Sequence, residues 1–197
     1  GLGKYNKQYY LKLRNDYNHM KDSDERDFVF LTLVVYSFNH QIRFNNKGEY
    51  NMPVGKRDFN SSIRKNLLEF CRKLVVKNIS FVNTDYKKFE LNSLTGNDFC
   101  YFDPPYYLGD ASYNENDGWN EGKEKELLEY LNEVNKHGVK FALSNVTEHK
   151  GLKNEILIDW AIENQYNIHN LNYNYSNSNY HLKDKNQVTK EVLITNY

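Results

Sequence analysis

The run Tyr101-Phe102-Asp103-Pro104-Pro105-Tyr106 gathers a carboxylate, two prolines and three aromatic rings within six residues. Asp98 to Phe102 reads as a short strand, so Asp103 stands where that strand stops. Open α/β sheets bind their ligands at the carboxyl ends of strands. Each proline fixes its own φ, removes a backbone N–H and holds the residue before it extended. The product is a stiff turn that presents a carboxylate, unpaired carbonyl oxygens and the Tyr106 ring. Such a set can hold an extruded nucleobase, with acceptors for its exocyclic amine and a flat surface to stack on. The same tetrapeptide also serves as an ordinary strand-to-loop stop, so its surroundings must separate the two readings.

The surroundings are those of an alternating chain. Phe141-Ala142-Leu143 is a second strand that ends in the small polar residues Ser144 and Asn145, suited to the neighbouring place in the sheet. Val139 to Leu143 has the apolar run of a buried parallel strand. Between the two strands, Lys123 to His137 is a helix with Leu127, Leu128, Leu131 and Val134 on one face and Gly138 as its stop. Ile79 to Val82 is a further short strand candidate. Leu152 to Asn164 reads as helix, Ile168 to Tyr175 as extended chain and Glu191 to Ile194 as a closing strand. Segments alternating in this way argue for a sheet with helices on its faces. Asn172 to Asn179, rich in Asn, Ser and Tyr, reads as a hairpin or loop.

The first third is built differently. Residues 4–19 form a helix carrying Tyr10, Leu13 and Tyr17 at helical spacing. Asp22, Ser23 and Asp24 offer caps for a second helix through Phe28, Leu31, Leu33 and Val35. Asn39 to Gly55 changes character, with polar residues, two glycines and one proline around Ile42, Phe44 and Tyr50. This is an irregular loop or hairpin and not a core element. Ser61 or Ser62 then caps a helix from Ile63 to Lys77 with an apolar stripe of Leu67, Leu68, Phe70, Cys71 and Leu74.

The chain of 197 residues has a net charge of zero, so bulk charge carries no nucleic-acid signal. The charges are unevenly placed. Arg43 to Lys77 holds nine basic and three acidic residues, whereas Asp110 to Glu133 holds eight acidic and two basic ones. One basic face and one acidic flank can serve phosphate binding in a neutral protein, although each run also fits a solvated helix face. The seventeen tyrosines and eleven phenylalanines fit either core filling or base stacking. Cys71 and Cys100 lack metal spacing and are expected to be buried thiols in a reducing cytoplasm. No signal peptide and no apolar stretch of spanning length occurs, so a soluble cytoplasmic protein without a membrane partner is expected. A nuclease or phosphotransferase finds no support, because neither a metal-ligand cluster nor a phosphate-cradling glycine loop is present, and no metal is expected.

Several blocks, in order, resemble the Dam-class (D12 class) DNA adenine-N6 methyltransferases. They are Arg14 with Tyr17-Asn18, the block Arg43-Phe44-Asn45-Asn46-Lys47-Gly48-Glu49-Tyr50-Asn51-Met52-Pro53-Val54-Gly55, Asn83-Thr84-Asp85-Tyr86, Tyr101 to Tyr106, Leu143-Ser144-Asn145, and Glu191 to Tyr197. The resemblance implies S-adenosyl-L-methionine as methyl donor and double-stranded DNA as partner. It implies that Asp103 and a carbonyl of Pro104 or Pro105 accept hydrogen bonds from adenine N6 while Tyr106 stacks on the base. It assigns Asp85 and Tyr86, with Asp103, to the cofactor. It makes the Arg43 block a DNA-contacting hairpin in which Phe44 wedges into the stack and Arg43, Asn45, Lys47 and the following Lys56 meet DNA.

The fold expected is therefore α/β: an incomplete S-adenosylmethionine-dependent methyltransferase (Rossmann-like) sheet with an inserted helical and hairpin DNA-recognition subdomain. Residues 1–78 would form the recognition region and 79–197 the carboxyl-terminal part of the catalytic domain. The sequence departs from the family at its start. The family's cofactor loop should precede residue 1, since Gly1-Leu2-Gly3 has no strand before it. Such a chain would by itself bind cofactor weakly or not at all, with a missing segment or a second copy in a homodimer covering the sheet edge. The competing readings are a DNA-binding fragment that does no chemistry, and a methyltransferase acting on RNA or protein amides.

Overall fold

A computed structural model describes residues 6–108, 118–171 and 189–197. The run Asn172 to Asn179, and Asp110, Glu115 and Asp117 of the acidic flank, lie outside the described residues. The chain divides into two compact units, Gly1–Val82 and Asn83–Tyr197. Among the described residues no helix is long and apolar enough to cross a membrane.

In the first unit, helix α1 (Lys7–His19) and helix α2 (Asp24–Tyr36) pack together. Asn6 and Ser23 cap them, each side chain accepting from a backbone N–H three residues on. Their shared core is aromatic: Tyr10, Tyr17, Leu33, Tyr50 and Met52 are buried together. Tyr17 stacks on Phe30, and Phe30 and Tyr17 both meet Tyr50 edge to face. The Arg26 guanidinium covers the Tyr17 ring at 4.5 Å. Two members of this core, Tyr50 and Met52, come from the segment expected to stay outside it. The polar residues around them drew attention away from the two apolar side chains that face inward. The segment is a narrow hairpin, with bridges Phe44 to Tyr50 and Ser37 to Val54.

Helix α3 (Ser61–Val76) is capped by Asn60, one residue before the expected serines; Asn60 is extended and accepts from the N–H of Ile63. Its apolar stripe is present but not buried, and Leu68, Phe70 and Cys71 are exposed. Helical spacing reports which side chains share a face, not whether anything covers that face. Residues 79–82 are not a strand. No described strand pairs with them, and Phe81 and Val82 are exposed; without a ladder partner an apolar run has no reason to be regular.

The second unit is a mixed α/β fold. Strand β1 (Phe99–Phe102) runs parallel to β2 (Lys140–His149), with Phe102 opposite Leu143. Helix α4 (Glu121–Lys136) connects them. Beyond β2 the sheet turns antiparallel, in the order β1-β2-β5-β4, where β4 is Asn167–Leu171 and β5 is Thr189–Thr195. Strand β2 continues well past its expected end at Leu143 because β5 carries its hydrogen bonds on, through an irregularity between Val146 and Glu148. Leu152–Lys153 is strand β3, paired with β2, not the first turn of a helix. Asn154 then caps helix α5 (Glu155–Glu163). Leu127, Leu131 and Val134 of α4 and Leu157 and Ala161 of α5 pack on Phe141, Leu143, Val192 and Ile194 of the sheet.

Candidate active site

Strand β1 delivers Asp103 to the carboxyl end of the parallel pair, directly after the last paired residues Phe102 and Leu143. Asp103, Pro104, Pro105 and Tyr106 line one open cleft of about 410 Å³. Asp103 is exposed and the next three residues are half-buried. The adjacent strand supplies a partner: Ser144 Oγ donates to Asp103 Oδ1 at 2.8 Å. A second contact, from Ser144 Oγ to the Phe102 carbonyl, is longer at 3.4 Å. Burial pushes the Tyr106 phenol above its usual range, partly opposed by a hydrogen bond with Ser144. The Ser144 hydroxyl thus joins the Asp103 carboxylate and neighbours the Tyr106 phenol.

Beneath the end of β2 lies a buried acid. Glu124, in the first turn of α4, has no exposed surface and accepts from three side chains. Trp119 Nε1 donates to Oε2 at 2.5 Å, while Asn145 Nδ2 and Asn154 Nδ2 donate to Oε1 at 3.0 and 3.1 Å. By charge count alone the acidic run that holds Glu124 also fits a solvated helix face. The place of Glu124 at three and four residues before Leu127 and Leu128, on the apolar face, was the signal for burial. Through it the chain before α4, the residue after Ser144 and the cap of α5 are held at one point.

Tyr86 sits close to the end of β1 through a shared neighbour. Its ring meets Tyr130 edge to face at 5.2 Å, and Tyr130 meets Phe102 at 6.2 Å. Burial raises the Tyr86 phenol. Asp85 is exposed, and its Oδ1 accepts from the Lys87 N–H. Cys100 is half-buried, its thiol pushed up by burial and by Asp98. The buried-thiol expectation therefore fails at Cys71 and holds only in part at Cys100. Among the described residues no group of three or more His, Cys, Asp or Glu side chains is placed to hold a metal ion.

In the first unit the hairpin uses several of its polar residues on itself. Asn45 Oδ1 accepts from the N–H groups of Lys47 and Glu49, and Asn45 Nδ2 donates to Glu49 Oε2 at 2.8 Å. Gly48, at φ +75°, closes the tip. Arg43 Nε donates to Asn51 Oδ1 at 2.7 Å. Phe44, 44% exposed, rests against Phe30 and Tyr50. Arg14 donates to the Asn51 and Met52 carbonyls, and Asn18 exchanges two hydrogen bonds with the Tyr50 backbone. Gly55 ends the block against α2: a Cβ there would lie 2.3 Å from the Ser37 carbonyl oxygen. Asn46, Lys47 and Lys56 are exposed.

The model of the D12 class N6 adenine-specific DNA methyltransferases matches residues 2–186. The chain belongs to that family. Among curated relatives, the modification methylase StsI of Streptococcus sanguinis is 40% identical over 203 residues. The type II methyltransferase M.FokI of Planomicrobium okeanokoites is 42% identical over 203 residues. The modification methylase LlaI of Lactococcus lactis subsp. lactis is 32% identical over 200 residues. Each comparison takes in all of this chain and 30% of the relative, so the D12 chain spans less than a third of the length of these proteins. Of the D12 blocks read in the sequence, the structure joins Asp103, Pro104, Pro105 and Tyr106 in one cleft and links Tyr86 to Phe102 through the Tyr130 ring. The Arg43 block, with Arg14 and Asn18, forms a separate constellation in the other unit.

Proposed function

We propose that this chain is part of a DNA adenine-N6 methyltransferase, a site-specific enzyme that moves a methyl group from S-adenosyl-L-methionine to adenine N6 in duplex DNA. In this reading the second unit is part of a Rossmann-like catalytic sheet, and the first is an inserted recognition subdomain. The observation that carries the proposal is the exposed Asp103 carboxylate at the carboxyl end of a parallel strand pair, in one cleft with Pro104, Pro105 and Tyr106.

The adenine amine is a weak nucleophile because its lone pair is drawn into the ring. One oxygen of Asp103 and a proline carbonyl accept its two N–H bonds, which returns electron density to N6 and fixes the direction of the lone pair. Tyr106 stacks on the extruded ring and replaces part of its lost stacking, worth about 1–3 kcal/mol per base. No covalent bond to the protein is required; orientation and fixed dipoles supply the rate. S-Adenosylmethionine, when bound, supplies an electrophilic methyl. The half-buried Tyr86 ring and the exposed Asp85 carboxylate suit the flat adenine of that molecule and its amine. In the first unit, Arg43, Lys47 and Lys56 would meet phosphate or a base edge, with Phe44 as the wedge.

The test is transfer of labelled methyl to duplex DNA, measured on the full-length protein and its Asp103→Ala variant. Wild-type transfer to duplex but not to RNA, reduced roughly 1,000-fold or more in the variant, is expected. Salt-dependent duplex binding without transfer by the wild type would instead support a binding module.

A further inference from the structure

We infer that Ser144 is a positioning residue for Asp103: its hydroxyl pins one carboxylate oxygen so that the other is fixed toward the target amine. The inference rests on the methyltransferase reading above. Asp103 is exposed at a strand end, and a carboxylate in that position turns freely about two side-chain bonds. A rotating acceptor meets the amine only part of the time. Ser144 removes that freedom from a rigid place. It is 8% exposed, lies in β2 opposite Leu193 of β5, and precedes Asn145, which is 1% exposed and tied to Glu124. The serine cannot follow the carboxylate; the carboxylate must follow the serine.

Proton counting fits the direction of the Ser144–Asp103 bond. Ser144 has one hydroxyl proton, and the 2.8 Å contact to the anionic Asp103 Oδ1 is the strongest use of it. The same hydroxyl lies beside the Tyr106 phenol, where its hydrogen bond works against the upward push of burial. One hydroxyl therefore couples the group that grips the amine to the ring that stacks on the base. Asp103 Oδ2 is left as the acceptor for N6.

The experiment measures steady-state methylation of duplex DNA by the full-length wild-type protein and by its Ser144→Ala and Ser144→Thr variants. Ser144→Ala is expected to lower kcat roughly 10- to 100-fold, the size expected for loss of one charge-assisted orienting hydrogen bond. KM for DNA and for S-adenosylmethionine should stay within about threefold, because the serine acts on the reacting geometry and not on binding. Ser144→Thr, which keeps the hydroxyl, should recover most of kcat. A wild-type kcat in Ser144→Ala overturns the inference. So does a loss confined to KM, or a Ser144→Thr variant as slow as Ser144→Ala. A wild-type protein that transfers no methyl to any adenine overturns the methyltransferase reading first, and the inference with it.

Discussion

The Asp103 turn and the Arg43–Gly55 hairpin both carry family motifs, yet they use their polar side chains in opposite directions. At the turn, rigidity comes from outside the motif. Prolines stiffen the backbone, β2 supplies Ser144, and Glu124 locks the strand that bears it, so the Asp103 carboxylate is presented outward. In the hairpin, Arg14 and Asn18 of the first helix hold the base, but the tip is braced by the motif's own side chains. Asn45, Glu49, Arg43 and Asn51 bond to one another and to the hairpin backbone. A motif residue is thus no guide to contact with a ligand until its hydrogen bonds have been traced. Asn45 braces the tip through bonds to Lys47 and Glu49, whereas the side chains of Lys47 and Lys56 are exposed.

The largest effect that would sharpen this contrast is the loss of methyl transfer in Asp103→Ala with the thermal midpoint unchanged, since the carboxylate is exposed and holds no core together. Removing the external support should do the reverse. Glu124→Ala leaves the Trp119, Asn145 and Asn154 donors without their acceptor, and should cost roughly 3 kcal/mol or more of unfolding free energy. Denaturant titration checks this, and an unchanged midpoint would break the claim that the turn is braced from beneath. Next, Gly55→Ala forces a methyl onto the Ser37 carbonyl oxygen and should destabilise the first unit by about 1–3 kcal/mol. Asn45→Ala frees the Lys47 and Glu49 N–H groups at a partly exposed tip, for roughly 1 kcal/mol. If Asn45→Ala were instead fully stable and defective only in DNA binding, the opposition between the two loops would collapse. The smallest effect is Lys47→Ala: stability unchanged, duplex affinity weakened evenly across sequences, and the slope of log K against log salt reduced by about one.

Much of this architecture is legible in the chain because period and punctuation are local. The helix stripe Leu127-Leu128-Leu131-Val134, the stop at Gly138 and the strand end at Asp103 all follow from residues within a few positions of one another. What escapes is set by partners distant in sequence. Strand β2 runs on through His149 because Thr189 to Thr195 pairs with it. The exposed Phe81 and Val82 were expected in a strand, but an apolar run becomes one only beside a neighbour. Tyr50 and Met52 enter the core although polar residues surround them, since Asn18 and Arg14 satisfy the backbone that their burial would strand. The cleft was legible down to its four lining residues. The hydroxyl that reaches Asp103 from 41 positions away was visible only as a small polar strand end.

The self-closed tip of the hairpin also bears on how such a chain diversifies. Because Asn45, Gly48, Glu49 and the Lys47 backbone N–H shape the loop without the side chains of Asn46 or Lys47, those two exposed side chains are free to drift while folding stays near neutral. Whatever the tip meets can therefore be altered by exchanging two adjacent residues on a fixed mount, and lineages of this hairpin should differ most at its outermost pair.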